Sequence, residues 1–259
     1  MEFSFELMAL LFCVAGIAGF IDAIAGGGGL ITVPALLMAG ISPAQALATN
    51  KLQSSFGCFS ASWYFIRSGT VQLKSMRLAI ACTFLGSAFG AVTVQYIEPD
   101  ILMSLIPILL IAISMYFLLM SVDNKTDLPP KVSEATFAFF VGGGVGFYDG
   151  FLGPGAGSIF AVCFMVIARC SLIIATARTK ILNFTSNVAA LIFFILAGLP
   201  IWELGLMMAV GGFIGARLGA KIVVNQGQKW IRPLVIFMSM TMAIKLLWGQ
   251  HGQWLKSIF

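Results

Sequence analysis

Four ionisable residues lie inside stretches of this sequence that are otherwise almost entirely apolar: Asp22, Lys51, Asp149 and Lys180. A charged side chain in an apolar setting is costly unless it is paired or serves a function. An ammonium group with amide side chains on successive helical turns can hold an oxyanion by charge-assisted hydrogen bonds. For the lysines the alternative is that they snorkel to a membrane interface. The predicted anion ligands of this kind are Asn50, Lys51, Gln53, Lys180, Asn183 and Asn187.

A glycine-rich run follows each aspartate: four consecutive glycines, Gly26–Gly29, and then Gly153-Pro154-Gly155-Ala156-Gly157. Each run interrupts an apolar helix and frees backbone groups that need an enclosed polar surrounding. The helix that follows presents amide donors and the positive end of its dipole, which suits a small anion. The alternative is that the glycines only permit close packing or a tight turn. The predicted backbone ligands are Gly26, Gly27, Gly28, Gly29, Gly153, Gly155 and Gly157.

The two aspartates have two candidate roles. Carboxylates in membrane segments often mark ion or proton pathways, and a carboxylate does not attract an anion. Asp22 and Asp149 are therefore predicted either to couple transport to protons or to order the glycine loops by accepting backbone hydrogen bonds. Both roles remain open from the sequence.

The second part of the chain repeats the first. Asp149 follows Asp22 by 127 residues, and the Gly-x-x-x-Gly-Ala pattern at Gly86 recurs at Gly211 after 125 residues. Such an offset predicts two homologous halves, residues 1–122 and 135–259, joined by a polar linker at 123–134. The Gly-x-x-x-Gly patterns themselves are typical of helix contact faces.

Composition places the protein in a membrane. The sequence is 59% hydrophobic and only 10% charged over 259 residues, which excludes an ordinary soluble domain. We expect an all-α polytopic fold with about five segments in each half, the second of them long enough to cross only half a bilayer. The predicted segments are Leu7–Ala25, Leu30–Ala39, Pro43–Ile66, Leu78–Tyr96, Ile101–Val122, Ala135–Phe151, Ser158–Ala168, Ile173–Leu196, Leu204–Val224 and Pro233–Trp248.

Loop charges set the orientation of the halves. Arg67, Lys74 and Arg77 follow the third segment, whereas Glu203 is the only charge that follows its counterpart in the second half. By the positive-inside rule the two halves then have opposite orientations, as in transporters built from inverted repeats with broken helices. This topology also explains the net charge of +5, so no nucleic-acid partner is expected.

The chain resembles the TauE/SafE sulfite exporter family, within the toluene-sulfonate uptake permease group. Four motifs carry this resemblance: Gly19-Phe20-Ile21-Asp22 with its glycine run, Ala48-Thr49-Asn50-Lys51-Leu52-Gln53, Gly146-Phe147-Tyr148-Asp149-Gly150, and Lys180-Ile181-Leu182-Asn183. The resemblance implies a bacterial inner-membrane permease for small organosulfur anions such as sulfite and sulfonates. It does not choose the substrate or the direction.

The expected function is secondary transport of a small anion by alternating access between the inverted halves. No enzyme activity, catalytic residue, cofactor or metal site is expected. The only histidine, His251, lies outside any His-Glu-x-x-His motif. Two alternatives remain: an intramembrane aspartyl protease using Asp22 and Asp149, although its Gly-x-Gly-Asp motif is absent, and an anion channel. The lipid bilayer is the expected environment, and the sequence leaves a homo-oligomer open.

Overall fold

A computed structural model of the protein describes residues 3–102 and 129–226, and within these ranges the regular structure is entirely helical. Helix α5 combines Glu134–Phe137, a π-helical stretch at Ala138–Gly143 and Gly144–Phe151. A 3₁₀ turn, Leu73–Met76, precedes α4. The remaining helices are α1 (Phe5–Ala25), α2 (Gly29–Met38), α3 (Pro43–Arg67), α4 (Arg77–Val94), α6 (Ala156–Val166), α7 (Leu172–Leu196) and α8 (Trp202–Gln226).

The all-α prediction is confirmed, and each described helix falls on a predicted segment with its ends shifted by at most two residues. The predicted segments Ile101–Val122, beyond its first two residues, and Pro233–Trp248 lie outside the described residues. Four described helical stretches are long and apolar enough to cross a membrane: Phe5–Ala25, Leu73–Val94, Leu172–Leu196 and Trp202–Asn225.

The 25-residue helix α3 is long enough to span but is too polar to be counted with those four. Its polar residues are buried in the protein; Thr49, Asn50, Lys51 and Gln53 are each at most 3% exposed. Pro43 occupies the first turn, where its missing N–H costs nothing. Ser42 precedes it as predicted but makes no capping hydrogen bond, because its hydroxyl donates to Gln45 Oε1 instead.

Glycines let the two halves pack backbone against backbone. On α8, a Cβ at Gly215 would collide with the Gly16 carbonyl oxygen of α1. On α4, a Cβ at Gly90 would collide with the Phe147 carbonyl oxygen of α5. The predicted helix contact faces are therefore confirmed, and each joins a helix of one half to a helix of the other. Helices α3 and α7 also pack on each other between these pairs.

Charge divides the structure into two faces. The end of α3 and the start of α7 share one apolar cluster with Val71, Met76 and Val132, so they lie on the same side. The opposite side carries Ile97 and Leu199, which share a second cluster. We call the first side the basic face, because it holds every described cation except Lys51 and Lys180: Arg67, Lys74, Arg77, Lys131, Arg169, Arg178, Arg217 and Lys221. The positive-inside rule predicts that the basic face is cytoplasmic.

The glycine contacts predict a selective response to alanine. Gly215→Ala should destabilise the protein by about 1–3 kcal/mol, because the new methyl group meets backbone that cannot move aside. Gly144→Ala is the matched control, since a Cβ at that exposed helical position meets nothing within 4 Å. Thermal unfolding of the purified proteins in detergent checks both. Equal midpoints for the two variants would contradict backbone packing at Gly215.

Candidate functional site

The two glycine breaks meet inside the protein. Gly26 ends α1 with a φ of +80°, and Gly155 precedes α6 with a φ of +81°. A Cβ on Gly157 would lie 2.7 Å from the Gly26 Cα, so no larger side chain fits between the two tips. The Ser158 hydroxyl donates a hydrogen bond of 2.6 Å to the Ala25 carbonyl oxygen across this contact. The broken helices of the two halves therefore form one junction.

The carboxylate of Asp22 lies beside this junction and holds the first of two ion pairs. Lys180 Nζ lies 2.8 Å from Asp22 Oδ2, and the backbone N–H of Gly28 donates to Asp22 Oδ1 over 3.1 Å. The Cys58 thiol approaches the same Oδ2 at 3.5 Å. The Lys180 side chain is 0% exposed and that of Asp22 is 19% exposed. The Gly28 bond fits the predicted loop-ordering role of Asp22.

The second ion pair mirrors the first with the halves exchanged. Lys51 Nζ lies 2.5 Å from Asp149 Oδ1, and the Ser186 hydroxyl donates to Asp149 Oδ2. The Lys51 side chain is 1% exposed and that of Asp149 is 5% exposed. The Ser87 hydroxyl of α4 donates to the Ser186 carbonyl oxygen at 2.6 Å, so the neighbouring helix supports this pair.

Each half of the chain thus contributes one aspartate and one lysine, and each aspartate pairs with the lysine of the other half. Removing one partner of such a buried pair leaves an uncompensated charge and costs about 3–5 kcal/mol. The burial also rules out snorkelling to the membrane surface for Lys51 and Lys180 in this conformation. The two pairs therefore bind the halves together beside the junction.

A small cavity of about 20 Å³ lies between the pairs, with room for a single water molecule. Helices α2 and α6 begin at this cavity, and neither has a side-chain N-cap. The positive end of α6 is therefore available to a ligand there, whereas that of α2 is partly engaged, since the Gly28 N–H donates to Asp22 Oδ1. The lining residues are Asp22, Gly26, Gly29, Asn50, Ser54, Cys58, Asp149, Gly153, Gly155, Gly157, Asn183 and Asn187.

The amide side chains at the cavity are only partly engaged. Asn50 Oδ1 accepts hydrogen bonds from Thr32 Oγ1 at 2.5 Å and from Ser54 Oγ at 3.3 Å, which leaves its amino group for the cavity. Asn187 Nδ2 donates to the Asn183 carbonyl oxygen at 2.7 Å. The side-chain oxygen of Asn183 is buried without a partner among the described residues. Such an atom is normally satisfied by a water molecule or a ligand.

Ten of the residues predicted from the sequence line this cavity, and five do not. Lys51 and Lys180 bind the carboxylates that line it. Gly27 and Gly28 lie in the first break behind the lining, and Gln53 points away, since a Cβ on Gly212 of α8 would collide with its amide. Ser54 and Cys58 complete the lining. Sequence reasoning missed Cys58, although it follows Lys51 by two helical turns and so shares its helix face.

Comparisons with known proteins identify the family of this chain. The family model described as Sulfite exporter TauE/SafE matches residues 11–246. The chain is 51% identical to the probable membrane transporter protein YfcA of Escherichia coli (strain K12), over 95% of this chain and 92% of that protein. It is 44% identical to a probable membrane transporter protein of Haemophilus influenzae, over 96% of this chain and 98% of that protein. It is 43% identical to the probable membrane transporter protein ORF9 of Sinorhizobium sp, over 95% of this chain and 94% of that protein.

No solved structure shows a significant match to this protein. Its relatives are named as transporters and not as enzymes, and each aspartate carries a lysine partner, so the aspartyl protease alternative is not favoured. Bacterial transporter relatives and several apolar helices make it a multi-pass protein of the inner membrane. The chain belongs to the sulfite exporter TauE/SafE family of membrane transporters.

Proposed function

We propose that this protein is a secondary transporter of a small oxyanion of the sulfite and organosulfonate class. The observation that carries the proposal is the small polar cavity where two broken helices meet between the two aspartate–lysine pairs. Two helix N-termini, amide side chains and two nearby ammonium groups provide the donors that an oxyanion needs. The printed description of the family, sulfite exporter, supports this class of substrate.

The transport step is alternating access between two inverted halves. Opposite orientation is supported by α3, which ends at the basic face, and by α7, which begins there. It is also supported by the exchanged glycine contacts, in which α8 packs on α1 and α4 packs on α5. An oxyanion with four or more heavy atoms does not fit a cavity sized for one water, so the anion enters only when the halves move. A cavity too small for the anion favours a carrier over an open channel.

Anion binding and proton binding are coupled through the ion pairs. An oxyanion in the cavity competes with Asp22 for Lys180 and with Asp149 for Lys51. A buried carboxylate that loses its counter-ion is costly, and a bound proton removes that cost. The other titratable groups nearby are the Cys58 thiol beside Asp22 and the Tyr148 hydroxyl, which donates to the Pro154 carbonyl oxygen. The anion therefore moves together with a proton.

The two aspartate–lysine pairs predict a double-mutant effect that separates the role of Lys51 in folding from its role in transport. Lys51→Met alone should lower the free energy of unfolding by about 3–5 kcal/mol, because it leaves Asp149 buried without a counter-ion. Adding Asp149→Asn should restore most of that loss by neutralising the partner. Chemical denaturation in detergent measures both variants. Additive losses in the double variant would contradict a direct pair.

The same double variant should fold but fail to transport, because the cavity has lost an anion-binding cation. Uptake of radiolabelled sulfite and of a short sulfonate into proteoliposomes measures this, and saturable counterflow distinguishes a carrier from a channel. Lys221→Met removes a cation from the basic face outside the site and should leave uptake unchanged. Wild-type uptake in the Lys51→Met/Asp149→Asn protein would overturn the anion role of Lys51.

Coupling predicts a dependence on the proton gradient. In wild-type proteoliposomes, an acidic exterior should accelerate anion uptake, since a proton enters with the anion. Asp22→Asn should abolish this acceleration while leaving anion counterflow, because the neutral amide binds no proton; since Lys180 loses its counter-ion in this variant, size exclusion first establishes that it is folded. Uptake in both proteins is measured with and without an uncoupler. Acceleration that persists in Asp22→Asn would show that Asp22 does not carry the proton.

A further inference from the structure

A second cavity with anion-binding chemistry lies at the basic face, apart from the proposed transport site. It has a volume of about 270 Å³ and lies where α4, α5 and α7 begin and α6 ends. Three cations line it, Lys74, Arg77 and Arg178. Below them the wall is apolar, with the rings of Phe137 and Phe164 in contact at a centroid distance of 4.8 Å and an interplanar angle of 36°. The cavity therefore has a cationic rim and an apolar floor.

The cations of this rim have no carboxylate partner among the described residues. No ion pair within 4.0 Å joins Lys74, Arg77 or Arg178 to a carboxylate there. The Arg178 guanidinium is half-buried, and its one described hydrogen bond goes to the Cys170 sulfur at 3.5 Å, which is a weak acceptor. Glu134 also lines the cavity, so the three cations and one carboxylate leave an excess of two positive charges.

The backbone adds to this positive field. Helix α4 has 18 residues and begins at Arg77 without a side-chain N-cap, so the positive end of its dipole faces the rim. A half-buried guanidinium with unused donors is the group that binds phosphate best, because its planar fork matches two phosphate oxygens. The cavity thus has fixed donors and a net charge that fit one phosphate group.

We propose that this cavity binds the phosphate of an anionic phospholipid from the cytoplasmic leaflet. The basic face is cytoplasmic by its charge, and helices begin there, so the cavity lies at headgroup depth. Basic pockets between membrane helices on this side are suited to anionic headgroups. Leu73 and Leu78 beside the rim are 44% and 51% exposed, and the apolar floor offers contact to glycerol and acyl carbons. A fully hydrated soluble anion gains nothing from those surfaces.

The site is tested by lipid exchange with purified protein in detergent. Titration with phosphatidylglycerol or phosphatidylcholine, read by native mass spectrometry, should show tighter binding of phosphatidylglycerol to the wild type. The triple variant Lys74→Gln/Arg77→Gln/Arg178→Gln should weaken phosphatidylglycerol binding on the order of 10- to 100-fold and leave phosphatidylcholine binding unchanged. Inorganic phosphate is titrated in a parallel arm.

The matched control is Arg67→Gln/Lys131→Gln/Lys221→Gln, which removes the same charge from the same face outside this cavity. It should retain wild-type affinity for phosphatidylglycerol. Equal losses in both triple variants would overturn the proposal, since general surface charge would then explain binding. Millimolar phosphate that displaces phosphatidylglycerol from the wild type but not from the rim variant would support the phosphate contact. Phosphate binding without any phosphatidylglycerol preference would overturn a lipid site. Elution on size exclusion establishes that each variant is folded.

Discussion

The structure depends on two buried ion pairs, because an unpaired charge in the interior of a membrane protein is costly. Asp22 with Lys180 and Lys51 with Asp149 each bring one charge from either half of the chain to the same buried junction. In a low-dielectric interior neither charge is tolerated alone, so the halves must assemble around the pairs. The same requirement makes the stability of each pair sensitive to a competing ligand. Any group that takes one partner changes the cost of burying the other.

Close approach of backbones is the second constraint, and glycine residues permit it both between packed helices and at the junction of the broken helices. Between helices, Gly215 and Gly90 allow α8 and α4 to contact α1 and α5 at carbonyl oxygens. At the junction, Gly26 and Gly157 allow the ends of two broken helices to touch. Only this approach brings two helix N-termini to one small cavity. Packing and anion-binding explanations of the glycine runs are therefore compatible, since close packing creates the arrangement of amides.

The cavity is too small for an oxyanion in this structure, and donors are directed at a space of about 20 Å³. Sequence motifs indicate the chemistry of a site but not the access to it. The size of the cavity adds the information on access. Amides, hydroxyls and helix ends converge there, while Lys51 and Lys180 remain engaged with the carboxylates behind the lining. In the proposed mechanism, rearrangement of the ion pairs and opening of the cavity are one process, and this is the physical basis of the proposed coupling.

The sequence by itself determined the membrane class, the helical segments and most of the residues that line the cavity, because hydropathy, glycine breaks and buried charges are local features. Helix boundaries agreed closely for the same reason, as did the glycine contact faces. Only the tertiary structure decided which aspartate meets which lysine, since the partners are 158 and 98 residues apart. It also placed Gln53 against α8 and brought Cys58 to the cavity. Such assignments depend on how helices from different parts of the chain face each other, and no local pattern encodes that geometry.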